Sequence, residues 1–132
     1  MPYTILNVNA PIYGNNGANG IDAYFTFAQK VYNGTAGSNG TSAINFSGFS
    51  GKTVKIVNNS TIRGGTGGNG GNGGNWSEQC KSRPTYGGNG GSGGIWNINS
   101  GGVVIETIGN SPINGSNGSK GNNGYISDSG CG

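Results

Sequence analysis

Apolar residues in this chain come in short bursts separated by longer polar stretches. Residues 3–8 (YTILNV) and 52–57 (KTVKIV) are rich in β-branched side chains and predict strands. Residues 43–49 (AINFSGF) set Ile44 and Phe46 against Asn45 and Ser47, the alternation of a strand with one buried face. Residues 21–32 carry Tyr24, Phe25, Phe27 and Tyr32 and predict a strand pair or a short helix; the β-rich setting favours the pair. Residues 95–98 (IWNI) and 103–108 (VVIETI) predict two further strands around a hairpin-like break at Ser100-Gly101-Gly102. No stretch repeats its apolar residues at the period of a helix face. The expected core is a β layer drawn from Phe25, Ile44, Phe46, Val54, Ile56, Trp96, Ile98 and Val104. At ~25 cal/mol per Å² of apolar surface, its burial is the main source of stability.

The polar stretches have a period of their own. Residues 64–74 read GGTGGNGGNGG, with glycine recurring every third residue in two phases. Gly64, Gly67, Gly70 and Gly73 form one phase, and Gly65, Gly68, Gly71 and Gly74 the other. A period of three matches neither an α-helix nor a strand. It matches the left-handed polyproline-II conformation, with 3 residues per turn and ~3.1 Å rise. Such a helix has three ridges, and two bare glycine ridges let other backbones approach closely. It has no internal hydrogen bonds, so its buried N–H and C=O groups require partners on neighbouring chains. Residues 14–20, 34–40, 87–94 and 115–124 supply further runs, and all five runs have similar lead-ins (PIYG, VYNG, TIRG, PTYG, PING) that mark a loose internal repeat. Runs 64–74 and 87–94, the latter with Gly88 and Gly91, carry two glycine ridges and are expected inside; the other three carry mostly one and are expected at the periphery. Collagen is excluded, because proline is scarce and absent from the runs. The expected fold is all-β/irregular: short strands packed on a bundle of about five polyglycine-II helices, without a substantial α-helix, in a single domain over residues 1–132.

Composition narrows the function. Only 8% of residues are charged, and the net charge of +3 is spread along the chain, so no nucleic-acid partner is expected. No apolar run approaches the ~20 residues of a membrane span, so no membrane insertion is expected. The N-terminal MPYTILNVNAP lacks the basic region of a signal peptide. The glycine content borders on low-complexity disorder. Against disorder, the glycine is phased and alternates with apolar segments, which a linker does not require. There is no histidine, and the acids Asp22, Glu78, Glu106 and Asp128 lie far apart in sequence, so neither an enzyme, a cofactor nor a metal is expected. The G-x-G-x-x-G at 65–70 is a by-product of the triplet, and Gly51-Lys52-Thr53 is not a P-loop, since position 46 is Phe. Cys80 and Cys131 allow either one disulfide or two free thiols.

One segment breaks the alternation. Residues 75–86 (NWSEQCKSRPTY) are polar, charged and aromatic, have no strand pattern, and join the two most glycine-rich runs. They are expected to form a loop at one end of the bundle, roughly 34 Å from the other end at ~3.1 Å per residue. Trp76, Arg83 and Tyr86 are types enriched at interface hot spots, while Glu78 and Lys81 add charge selectivity. Trp76 equally reads as a cap on the hydrophobic layer.

VKIVNNSTIRGGTGGNGGNGG (54–74), with the loop that follows and the runs at 87–94 and 115–124, resembles the glycine-rich tip adhesins of T-even-like bacteriophage long tail fibres. The resemblance covers about residues 54–124 and implies a polyglycine-II sandwich whose end loops touch a host cell-surface receptor, on the virion surface and outside the cell. Those adhesins dock on a trimeric fibre through a substantial N-terminal domain, which has no counterpart before Gly14. A structural virion protein (minor capsid, decoration or cement, or fibre subunit) is therefore the alternative. Its partners would be neighbouring virion proteins or further copies of itself in a homo-oligomer. Ice binding is a third reading, since some springtail antifreeze proteins are also polyproline-II bundles. An ice face wants repeated Thr or Ala, however, and the outer ridges here are mostly Asn and Ser.

Overall fold

The computed structural model describes residues 4–45, 53–94 and 115–131. Among these residues there are nine short strands and no helix. β1 (Thr4–Val8) pairs in parallel with β5 (Val54–Asn58), and β2 (Ile12–Tyr13) with β6 (Ile62–Arg63). β3 (Tyr24–Phe25) and β4 (Lys30–Val31) form an antiparallel ribbon, so residues 21–32 are a strand pair and not a helix. Thr26 closes the ribbon: its N–H donates to the Gln29 carbonyl and its Oγ1 accepts from the Gln29 N–H. β9 (Gly124–Asp128) lies between β7 (Trp76–Glu78), parallel to it, and β8 (Arg83–Thr85), antiparallel. Thr4 faces Val54, Ile12 faces Ile62 and Trp76 faces Ile126. Parallel neighbours are therefore 50 residues apart, a separation that also recurs in the side-chain bonds between them.

The glycine runs are neither helix nor strand, and their hydrogen bonds run sideways. Runs 14–20, 64–74 and 115–124 lie parallel in one row. Gly17 and Gly20 donate to the carbonyls of Thr66 and Asn69 (2.7 and 2.6 Å), and Gly67 and Gly70 to Ser116 and Ser119 (both 2.9 Å). Runs 34–40 and 87–94 form a second, antiparallel row: Gly37 donates to Asn89 within it. Between rows, Gly68 donates to Ser38, Gly91 to Gly68 and Gly118 to Gly91 (2.8, 2.7 and 2.8 Å). The middle run thus has four neighbours. A Cβ placed on Gly64, Gly67 or Gly70 would overlap the carbonyls of Gly94, Gly91 or Gly88, and one on Gly65, Gly68 or Gly71 those of Asn15, Ala18 or Ile21. Gly68 and Gly91 are buried while Gly17 is half-buried, as the ridge count expects.

The third ridge faces solvent and explains the asparagines. A backbone N–H on that ridge has no carbonyl beside it, so the Oδ1 of the preceding run accepts it. Asn16, Asn19 and Asp22 accept from Thr66, Asn69 and Asn72 (2.9, 2.9 and 2.8 Å), and Asn69 and Asn72 in turn from Ser119 and Asn122. The sequence also ends the stack. Asn15, Ala18 and Ile21 stand where the middle run has Gly65, Gly68 and Gly71, so their side chains close the outer side of the first run. Asn117 and Asn123 turn back to accept from Gly93 and Gly87 at the end of the second row.

The aliphatic core is Val8, Val54, Ile56 and Ile62, with Leu6, Ile12, Ala43 and Ile44 against it. Two expectations need correction. Among the described residues the core does not lie over the glycine runs as a layer; it sits in line with them at one end. The parallel ladder simply continues from Ile12→Thr61 through Gly14→Arg63 into the run. Phe25 is not core: it is 51% exposed, at the opposite end of its run. Phe46, Trp96, Ile98 and Val104, and the strands expected at 95–98 and 103–108, lie outside the described residues.

Candidate functional site

At the end away from the aliphatic core, all five runs deliver a segment to one cap. Run 14–20 exits into β3, 64–74 into β7 and 115–124 into β9, while β4 leads into 34–40 and β8 into 87–94. Residues 75–86 therefore sit at the end of the stack, as expected, but they are not a patternless loop. Half of this segment is β7 and β8, each paired with β9. The strands carry no alternation of apolar side chains: among the described residues of β7, β8 and β9, Ile126 is the one buried aliphatic, and the other buried side chains, Glu78 and Thr85, are polar. Thr85 Oγ1 donates to the Gly74 carbonyl (2.8 Å), fixing the return of the chain into the second row.

The two cysteines form a disulfide, Cys80–Cys131, tying the β7–β8 turn to the chain beyond β9. Cys80 sits at φ 63°, and its N–H donates to Asp128 Oδ1 (3.0 Å), which also accepts from Gly130. Local hydrogen bonding of this kind compensates a left-handed backbone at a residue other than glycine.

The five residues singled out in the sequence separate by role. Glu78 is buried and its charge is used internally: Lys30 lies at 2.6 Å, Tyr32 Oη donates at 3.0 Å and Lys81 is 3.8 Å away. The hydrogen bond from Lys30 holds the Glu78 carboxyl below its ordinary range despite burial, with help from Tyr32. The Lys81 ammonium is pushed up by its hydrogen bond to Tyr32 Oη and by Glu78. Trp76 lies flat over Gly74, where a Cβ would meet its ring, and packs against Phe25 and Tyr32 with centroids 5.5 and 5.7 Å apart. Its indole N–H has no acceptor among the described residues. Trp76 is half-buried in this aromatic cluster and does not touch the aliphatic core at the other end. Arg83 is exposed and lies over the Tyr32 ring, its Cζ 4.0 Å from the centroid. The Tyr86 side chain is 53% exposed, while its backbone N–H donates to Asn33 Oδ1.

Further residues belong to the cap. Lys30 and Tyr32 complete the Glu78 cluster, Ser82 is hydrogen-bonded to the Tyr125 hydroxyl, and Phe27 projects fully from the β3–β4 ribbon. The 50-residue repeat is the signal that would have found them, because it places 22–25, 72–75 and 122–125 at the same end. An open hollow of about 400 Å³ on the cap is lined by Tyr32, Cys80, Lys81, Ser82 and Arg83. Among the described residues no three His, Cys, Asp or Glu side chains come together as metal ligands, and no helix is long and apolar enough to cross a membrane. No protein-family model matches the chain, and it has no match among curated proteins.

Proposed function

We propose that this is a non-catalytic virion surface protein, a receptor-binding tip adhesin in which five polyglycine-II helices hold a receptor-contacting cap. The observation that carries the reading is the convergence of five segments on one disulfide-closed cap. Rigid scaffolds commonly carry function in the segments that they position. A glycine ridge offers no side chain with which to choose a partner, whereas the cap exposes Phe27, Arg83, Tyr86 and Tyr125. Lateral bonds recurring every third residue support the polyglycine-II conformation. The disulfide supports a location outside the reducing cytosol. The aromatic column gives the cap a fixed shape before it meets a partner, which lowers the ordering cost of binding.

The test uses Tyr86→Ala with Phe27→Ala, because both side chains are exposed, whereas Trp76→Ala would open the cap itself. After an unchanged melting temperature is established, purified wild-type protein is expected to compete with virus adsorption to host cells and the double variant to compete poorly. A virus carrying the variant that adsorbs normally but assembles poorly would favour the structural virion role instead.

A further inference from the structure

The cap holds a cation, Arg83, that has no ion-pair partner among the described residues. Phe25 packs at a tilt against Trp76, Trp76 stacks on Tyr32, and the Arg83 guanidinium lies over the Tyr32 ring. The Arg83 Cζ lies 4.0 Å from the Tyr32 centroid, a contact that restrains the guanidinium, and among the described residues no carboxylate or carbonyl accepts from its fork. Lys81 lies over the same tyrosine ring at 5.2 Å, with its side chain half exposed. Both line the hollow of about 400 Å³, together with Ser82 and the wall formed by Cys80.

The carboxylates of the cap do not compete for this space. Glu78 has a side chain 6% exposed and is paired with Lys30 at 2.6 Å; Lys81, 3.8 Å from it, spends one donor on Tyr32 Oη and keeps the others for a ligand. Asp128 is engaged by the backbone N–H groups of Cys80 and Gly130. The hollow is therefore bordered by two positive groups, one of them a planar fork matched to oxyanions. We infer that this hollow binds the anionic group, phosphate or carboxylate, of a surface saccharide. The fork of Arg83 would take two oxygens and Lys81 a third, with the sugar against Ser82 and the disulfide. This deepens the adhesin reading and rests on it for the biological source of the ligand, but the site itself stands on the geometry alone.

The experiment is an NMR titration of the intact protein with a hexose 6-phosphate, a hexuronate and the uncharged hexose, following the side-chain signals of Arg83 and Lys81. One or both anionic sugars are expected to shift these signals saturably, and which one does so identifies the source of the charge. The neutral hexose is expected to leave them in place. Arg83→Lys, which keeps the charge and loses the fork, is expected to bind about tenfold more weakly, with an unchanged melting temperature. Lys81→Gln serves as the second variant should Arg83→Lys lose stability. No saturable shift with either anionic sugar, or an equal response to the neutral one, would overturn the site. Lost saccharide binding in a variant whose competition for host adsorption is intact would leave the anion site standing and remove its link to the receptor.

Discussion

Replacing Gly68 by alanine, the smallest possible change, is expected to be among the most damaging in the chain. Gly68 is buried in the middle run, and a Cβ there would fall onto the Ala18 carbonyl of the neighbouring run. Restoring a separation of roughly 3.5 Å requires run 14–20 to move outward by more than an ångström. Gly68 cannot yield instead, because its N–H is held by Ser38 (2.8 Å) and its carbonyl by Gly91 (2.7 Å). The outward movement breaks Gly17→Thr66 and Gly20→Asn69, and the side-chain bonds of Asn16 and Asn19 to the same run. Three to four bonds at ~1 kcal/mol each, less the ~0.4–1 kcal/mol that alanine ordinarily gains over glycine by restricting the unfolded chain, leaves about 3 kcal/mol of destabilisation. That is a large part of a total of roughly 5–15 kcal/mol, and the bulkier Gly68→Val is expected to leave no folded protein. Thr66→Ala, two residues away on the solvent ridge, is the control and is expected to stay within about 0.5 kcal/mol of wild type. Urea unfolding of the three proteins measures the difference. A Gly68→Ala protein as stable as wild type, or more stable, would refute the close-approach argument.

Three further outcomes follow from the cap and the edges. Removing the disulfide with Cys80→Ser and Cys131→Ser, whose sequence separation is 51, is expected to cost roughly 2–4 kcal/mol in urea unfolding, with the aromatic near-ultraviolet signal weakened first. The pH dependence of melting has a defined sign on each side. Glu78 has a lowered pKa, so its contribution is present above the ordinary glutamate value of about 4.3 and is lost as pH falls through its folded value. Lys81 has a raised pKa, so its contribution is complete below about 10.4 and is lost as pH rises through its folded value. Glu78→Gln should flatten the acid limb selectively, and an unchanged limb would show that another group controls it. Asn19→Ala removes the acceptor for the Asn69 N–H on the solvent ridge, where water can replace it, so a loss of no more than about 1 kcal/mol is expected.

Much of this architecture was legible because glycine phase is a steric code. Two phases in residues 64–74 and 87–94 mark runs approached from two sides, and a single phase in 14–20, 34–40 and 115–124 marks the margins. The strands Thr4–Val8 and Val54–Asn58 were legible from β-branched residues, and the ribbon of 21–32 from its setting. The position of the core was not. Alternation tells which face of Val54–Asn58 is buried but not whether its cover lies above the glycine runs or beyond their ends. The cap was half legible. Trp76, Arg83 and Tyr86 stood out by residue type, yet the role of each depends on Tyr32 and Phe25, brought in from another turn of the 50-residue repeat. β7 and β8 were not legible because the strand between them, β9, comes from the last turn, and polar strands held by such a long-range partner show no apolar period.

The account stands on the lateral bonding of the glycine runs, and trans-hydrogen-bond scalar coupling measures it directly. In uniformly 13C,15N-labelled protein, the Gly68 nitrogen is expected to couple to the Ser38 carbonyl carbon, the Gly91 nitrogen to the Gly68 carbonyl carbon and the Gly118 nitrogen to the Gly91 carbonyl carbon, with slow amide exchange at all three glycines. Rapid exchange throughout residues 64–74 with none of these couplings, the behaviour of a flexible glycine-rich linker, would contradict it.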